Sequence, residues 1–546
     1  MNRQRQGIAH WYRSGEPWVW MSAGAVSVSL IMVVGLSLLI AVRGLGHFWP
    51  AAVVESFYHQ DGQQKQVIGE VVKSEFAPIQ SDGTERRRYL VKTGNRDALG
   101  FDFRWVDEIA LENAQYPPAL VALERHEWGN FYGYLLAIKE NATVVAEGDA
   151  AWPALEQRLA RVHEIHEAIR NIEKGAIGAI SYRLEQLRLK ERRDEIDGSL
   201  SDQRKAELAR ERASLAREDE ALRLQLSALY RDIGRDSLRA SIMEGREVEI
   251  PLSKIVRAYR PNAMGVTSKI AFYFAKLWEF VSDEPREANT EGGIFPAIFG
   301  TVLMVLIMSV MVTPFGVIAA VYLREYAKQG PFTRAIRIAV NNLAGVPSIV
   351  YGVFGLGFFV YFLGGNIDRL FYPEALPAPT FGTPGILWAS LTLAILTVPV
   401  VIVATEEGLA RIPRAIREGS LALGATKFET LWRVVLPMAS PAMITGLILA
   451  IARAAGEVAP LMLVGVVKLA PTMPLDGNFP FIHLERKFMH LGFHIYDVGF
   501  QSPNVEAARP LVYATALLLV IVIIVLNLAA IYIRNRLRAK YRGLEG

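Results

Sequence analysis

Apolar residues in this chain gather into long unbroken runs, a pattern that neither the helical nor the alternating period of a soluble core produces. Charge-free stretches extend from Pro17 to Val42, Ile294 to Leu323, Ile338 to Ile367, Gly382 to Thr405 and Leu511 to Ile533. A sixth, fed from Met438, covers Leu447 to Val467 and differs in carrying Arg453 and Glu457 near its centre. A bilayer core about 30 Å thick takes roughly 20 apolar helical residues, so the pattern predicts six spans. The first is too long for the apolar core of a signal peptide and ends at Arg43 and Gly44 without a small-residue cleavage site. It reads as a retained anchor over 17–44.

Basic residues orient the spans. Arg3, Arg5 and Arg13 precede the first; Arg324, Lys328, Arg334 and Arg337 follow the second; Arg411, Arg414, Arg417, Lys427 and Arg433 follow the fourth; Arg534, Arg536, Arg538, Lys540 and Arg542 follow the sixth. With six spans all four clusters fall on one side, and short basic segments stay cytoplasmic. The expected layout is a cytoplasmic N-terminus over 1–16, a periplasmic domain over 45–293, five spans within 294–533 and a basic cytoplasmic tail over 534–546.

The periplasmic domain opens with β-rich pieces, Gln66–Val72, Arg87–Asn95 and Ala142–Gly148, and closes with another, Glu247–Leu252. Between them, Leu155, Leu159, Val162, Ile165, Ile169, Ile180, Leu184 and Leu187, then Leu208, Leu215, Leu222, Leu226 and Leu229, recur at three- and four-residue spacings among charges. This predicts a helical hairpin over about 153–235 with a coiled-coil seam, inserted into a β-containing domain. The fold class is thus a mainly α membrane protein with six transmembrane helices and a large extracytoplasmic α+β domain. Inside the hairpin, His163 and His166 are three residues apart, whereas an HExxH zinc helix needs four and a third ligand; solvated histidines are the expectation. Lys269–Val281 is aromatic and amphipathic, either a membrane-surface helix or an ordinary domain helix.

The segment Glu406–Ala442 predicts a helix ending at Gly424, a T-x-x-E capping box at Thr426 and Glu429, and a second helix returning to the membrane at Pro437. A free helix-turn-helix would suggest DNA binding, but this one is tethered to spans at both ends. Glu418-Gly419-Ser420, three residues, Gly424, nine residues, then Val434-Val435-Leu436-Pro437 resembles the EAA loop of ABC importer permeases in every spacing, with Gly419, Ser420 and Val434 as departures in residue type. Further stretches, Gly292–Thr301, Asn341–Gly355 and Arg453–Gly465, resemble the phosphate-specific permeases of that family, the PstA type. The resemblance covers roughly the C-terminal half of the chain. It implies ABC-permease architecture and a coupling loop over 406–437 that docks on a dimeric ATP-binding subunit. It also implies a second, PstC-like permease subunit and a periplasmic phosphate-binding protein. No G-x-x-x-x-G-K-[ST] loop occurs in the chain, so ATP hydrolysis is expected of a partner.

Within the spans, Arg453 is the expected anion-handling residue. Its planar fork suits phosphate oxygens, and ionisable groups at such depth face cavities and mark ion paths. The alternative is that it only pairs with Glu457, four residues on. Gly456 and Pro460 should weaken the helix there, as at transporter sites. Ser348, in Ala344–Ser348, either opens a second break facing the anion or belongs to small-residue helix packing. The loop over 471–510 carries His483, His490 and His494 without metal spacing; a docking surface for a binding protein or a plug near the pathway is expected.

The remaining composition changes little. Net charge is +4 and cysteine is absent, so neither a nucleic-acid partner nor thiolate metal chemistry is indicated, and no cofactor is expected. Other oxyanions, sulfate or molybdate, stay open on charge alone. A membrane-anchored sensor or scaffold would need an output domain, which the sequence does not suggest.

Overall fold

The computed structural model describes residues 12, 14–60, 63–76, 87–111, 113–286, 289–502 and 505–541. Arg3, Arg5, Arg13 and Arg542 of the orienting clusters lie outside them. Helix α1 (Glu16–Gly46) leads into two antiparallel sheets. The first orders β1 (Val53–Gln60), β2 (Gln63–Phe76), β3 (Arg87–Lys92) and β4 (Phe103–Asp107) sequentially. The second comprises β5 (Leu120–Arg125), β6 (Phe131–Glu140), β7 (Thr143–Glu147), β8 (Asp236–Ser241), β9 (Glu247–Pro251) and β10 (Ile255–Tyr259). Its order is β10-β5-β6-β8-β9, with β7 also on β6.

The first four residues of β5, Leu120–Leu123, are apolar on both faces because both are buried. Leu120 and Ala122 enter a core shared by the two sheets with Val53, Val67, Val91 and Tyr132. Val121 and Leu123, pointing oppositely as the two-residue period requires, meet Leu155, Leu159, Val162 and Ile165 of α2 (Ala151–Arg170). The domain is therefore layered sheet, sheet, helix. Where β2 passes β3, a Cβ on Gly69 would lie 2.2 Å from the Lys92 carbonyl oxygen.

The hairpin continues from α2 through α3 (Gly178–Ile196) and returns along α4 (Asp202–Ile233). The turn uses Gly198 at φ +67°, and the Ser201 hydroxyl caps α4 by accepting from the Arg204 amide at 3.2 Å. Ile180, Leu184 and Leu187 pack on Leu208, Leu215 and Leu222. His163 and His166 are not merely solvated: each places Nε2 2.8 Å from a carbonyl oxygen, of Val256 and Ser253 respectively. The reason is that α2 is the arm laid against the sheet, so its polar edge meets backbone. Farther out, α3 touches the membrane half through an Arg193–Glu374 ion pair and a Tyr182 hydroxyl donating to the Phe479 carbonyl.

Helix α5 (Val266–Ser282) connects the domain to the spans. One face packs Tyr273, Leu277 and Phe280 against Phe48 and Ile294, while Val266, Ile270, Phe274 and Trp278, four residues apart, form an exposed apolar stripe.

Among the described residues, six helices are long and apolar enough to cross a membrane. They are α1, α6 (Phe295–Val321), the span that starts as α8 (Ser348–Phe354) and runs to Phe371, α9 (Ile386–Ala410), α11 (Lys427–Ala455) and α14 (Val505–Tyr541). Between them lie α7 (Pro331–Leu343), α10 (Arg414–Ala422), α12 (Leu461–Val464) and α13 (Leu491–Tyr496). Helix α9 is central: Ile386, Ala389 and Leu393 pack with Met304, Val305 and Met308 of α6 and with Ala450 and Ala454 of α11. At the rim, Gly44 backs α1 onto α14 so closely that a Cβ would lie 2.9 Å from the Tyr513 carbonyl oxygen.

Two of the expected spans are not single helices. The run from Ile338 breaks at 344–347, and the stretch from Leu447 to Val467 stops being helical at Ala455.

Candidate functional site

Both breaks have a local cause. Pro347 has no amide hydrogen and disfavours a helical Val346, so α7 ends at Leu343 and α8 starts at Ser348. Gly456 terminates α11, and Pro460 begins the turn into α12. A helix end leaves carbonyl oxygens without partners. At the first break the Leu343 carbonyl accepts from the Val346 amide at 3.2 Å and from the Tyr351 hydroxyl at 2.6 Å, and the Ala344 carbonyl accepts from Arg453 Nη2 at 3.3 Å.

The two breaks therefore meet. Gly352 is the contact point, since a Cβ there would lie 2.7 Å from Pro460 Cα and 3.0 Å from its carbonyl oxygen. Three residues on, a Cβ on Gly355 would lie 2.3 Å from Thr392 Oγ1. Their depth follows from glycine contacts along α9. Gly408 faces Ala442 and Gly446 faces Ala404, so α9 and α11 run antiparallel. Arg453, about 10 Å beyond Gly446 at 1.5 Å per residue, is then level with Thr397, near the middle of α9. By the same construction from Gly355 and Thr392, Ser348 is level with Pro399.

Arg453 is about one-third exposed, and its Nε stands 3.8 Å from Glu457 Oε1. That separation is a loose ion pair, without a hydrogen bond. Of the five N–H donors on a guanidinium, one is engaged among the described residues, by the Ala344 carbonyl. The arrangement presents a cation with free donors at the end of α7, four residues before α8 begins. The sequence-expected residues Arg453, Glu457, Gly456, Pro460 and Ser348 thus share one junction. Tyr351, Gly352 and the Ala344 carbonyl belong to it as well and were not anticipated; the pair of prolines, Pro347 and Pro460, was the available signal.

The helical loop matches its expected geometry. Gly424 has φ +86°, the left-handed conformation of a C-terminal cap. Thr426 and Glu429 form a reciprocal capping box, and Ser420 Oγ lies 2.9 Å from Thr430 Oγ1, joining the two helices. Glu418 and Gly419 are exposed; a Cβ on Gly419 would meet nothing within 4 Å, so glycine in place of alanine is without steric consequence. Val435 is buried and Val434, Leu436 and Pro437 are half-buried where the chain re-enters the bundle. Leu423 at the tip is 90 % exposed, next to the stacked and exposed rings of Phe428 and Trp432.

The three loop histidines do not converge, and the described residues contain no cluster able to hold a metal ion. His483 bonds Asp476 at 3.0 Å and Glu485 at 3.2 Å, fastening the loop to itself. His490 and His494 are buried, which removes them from any docking surface. Burial pushes their pKa values down to about 3 and about 4. The neutral His490 ring accepts from the Gly492 amide through Nδ1 at 3.1 Å, capping α13.

Residues 312–543 match the family model described as binding-protein-dependent transport system inner membrane component. The phosphate transport system permease protein PstA of Mycobacterium leprae is 38% identical over 188 residues, which are 34% of this chain and 56% of that relative. PstA 1 of Mycobacterium tuberculosis is 36% identical over 245 residues, 44% of this chain and 70% of the relative. The probable ABC transporter permease YqgI of Bacillus subtilis is 30% identical, covering 46% of this chain and 81% of that one. The family match begins beyond the sheets and the hairpin. On the spans, the loop and these relatives together, the chain belongs to the binding-protein-dependent transport system inner membrane components, as a PstA-type ABC permease.

Proposed function

We propose that this permease carries inorganic phosphate into the cell by alternating access, with Arg453 as the residue that meets the anion. The supporting observation is the junction at mid-depth, where two broken helices meet around a guanidinium with free donors. Broken helices of this kind let backbone and side-chain donors face a solute inside a membrane. Glu457 and the Ala344 carbonyl hold the arginine between transport events, and the anion competes for it. Ser348 and the first amides of α8 supply further donors, and Gly456 and Pro460 give the junction freedom to change shape.

In this reading the basic loops are cytoplasmic and the sheets and hairpin periplasmic. The exposed tip of the loop after α9, with Glu418 and Gly424, docks on a separate dimeric ATP-binding subunit that hydrolyses ATP. A PstC-like second permease covers the open face of α7 and α8, and a periplasmic phosphate-binding protein delivers the solute.

Phosphate uptake by the reconstituted complex tests the pathway. Arg453→Ala is expected to lower uptake about tenfold or more, the scale of one lost charge-assisted hydrogen bond, with Arg453→Lys intermediate and Glu457→Gln milder. Wild-type uptake and phosphate-stimulated ATP hydrolysis in Arg453→Ala would refute it. For the loop, Glu418→Lys and Gly424→Pro are expected to abolish co-purification of the ATP-binding subunit. Retention of that subunit by folded variants would overturn the docking assignment.

A further inference from the structure

A cavity of about 660 Å3 lies away from the junction, between the sheet domain and the ends of α1 and α14. Its floor is Val42, Arg43 and Gly46 of α1 with Pro510 and Leu511 of α14, and its roof is the Glu70–Lys73 stretch of β2 with Lys92 and Arg96. Phe272 and Lys276 of α5 and the nearby Arg286 close one side.

The wall carries seven lysines and arginines against five carboxylates. Much of the negative charge is already engaged: Lys276 bridges Glu124 at 2.9 Å and Glu279 at 3.2 Å, and Arg286 binds Glu279 at 2.8 Å. The Nε of Arg286 remains buried without a partner. Among the described residues, the side chains of Arg43, Lys92 and Arg96 make no hydrogen bond or ion pair. Burial raises the Glu70 pKa, with the Lys92 charge pulling the other way. An excess of cations over carboxylates in a recess is unfavourable unless an anion offsets it.

The depth of the recess narrows the anion. Arg43 is in the last turn of α1, followed by Phe48 and Trp49 in the same wall, an aromatic and basic combination typical of the headgroup level. The stripe of Val266, Ile270, Phe274 and Trp278 on α5, 70%, 44%, 62% and 72% exposed, suits a helix lying along the membrane surface. We infer that this cavity binds a phosphate group, held by Arg43, Lys92, Arg96 and the Arg286 Nε, and supplied most directly by the headgroup of an anionic phospholipid. The inference does not rest on the transport reading, because it involves neither Arg453 nor the coupling loop.

The full chain in nanodiscs of phosphatidylcholine doped with phosphatidylglycerol tests it. The readout is phosphatidylglycerol retained on the protein, measured by native mass spectrometry. Lys92→Gln with Arg96→Gln is expected to lower retention about tenfold, while Lys92→Arg with Arg96→Lys preserves it. A second arm titrates inorganic phosphate in phosphatidylcholine discs, in an Arg453→Ala background that removes the pathway arginine. Loss of phosphate binding in this arm, with lipid retention unchanged, supports the site and assigns it to free phosphate. If the Lys92 variant does not fold, Arg96→Gln with Arg43→Gln replaces it. Unchanged binding of both lipid and phosphate in a folded charge-neutral variant overturns the inference.

Discussion

Replacing Gly352 with alanine adds one carbon at the point where the two broken helices touch. That carbon would sit 2.7 Å from Pro460 Cα, 3.0 Å from the Pro460 carbonyl oxygen and 3.2 Å from Leu463 Cδ1. Ordinary carbon contacts are about 3.5–4.0 Å, so α8 and the Pro460 turn must separate by about 1 Å. Backbone, not a flexible side chain, receives most of the clash. Overpacking of this kind costs roughly 1–3 kcal/mol, and the helix preference of alanine over glycine returns up to about 1 kcal/mol. Net stability therefore falls by at most about 3 kcal/mol, while the Arg453–Ala344 contact, already 3.3 Å, opens beyond hydrogen-bond range. Phosphate uptake is expected to fall severalfold with a small drop in melting temperature. Gly357→Ala, one turn along the same span with nothing within 4 Å of its Cβ, is expected to leave uptake intact. Trimming Leu463 to alanine should not rescue Gly352→Ala, because the tighter contacts are to Pro460. Equal uptake in Gly352→Ala and Gly357→Ala would refute the packing argument.

Two further outcomes are expected. Arg193→Ala strands the buried Glu374 without its partner across the hairpin contact, so amide exchange should quicken in 178–196; unchanged exchange would show that the hairpin does not lean on this pair. For His490 and His494 the folded pKa lies below the unfolded value, so their stability contribution is complete above about pH 6.5 and is lost as pH falls toward about 4 and then 3. Going from pH 7.5 to 5 costs about 2 kcal/mol per group, read as a falling melting temperature. His490→Asn, which can keep the acceptor for Gly492 without titrating in this range, should flatten that slope, and an unaltered slope would contradict the assignment.

The parts of this chain written in local pattern were legible. Runs of apolar residues located the spans, leucine spacing located the hairpin, and Thr426 with Glu429 located a helix start to the residue. Legibility failed where a long-range partner decided the outcome. Apolarity alone carried the run from Ile338 straight through Pro347, and nothing local says that the freed Leu343 and Ala344 carbonyls are taken by Tyr351 and Arg453. His163 and His166 read as solvated because the backbone they bond, in β10 and the turn before it, is about ninety residues away in sequence. His490 and His494 looked like surface residues because a polar, aromatic loop does not advertise that part of it is packed beneath the bundle.

The same contacts give a route between the loop and the junction. Arg417 of α10 pairs with Glu325 at 3.1 Å, and Lys427 donates to the Glu325 carbonyl at 2.6 Å. Both helices of the loop thus grip the residue at the end of the α6 span. Beyond them Arg337 of α7 binds Glu406 at 3.2 Å, fixing α7 to the end of α9. The loop is consequently tied to the end of the α6 span, and α7 to the end of α9. Helix α11 begins just after the loop tip at Leu423 and ends two residues past Arg453, while α7 ends one residue before Ala344, whose carbonyl Arg453 holds. This hydrogen bond therefore joins the end of α11 to the end of α7. At 3.3 Å and a third exposed, the Arg453 contact is a weak one, whereas Gly352 and Pro460 approach at backbone distance.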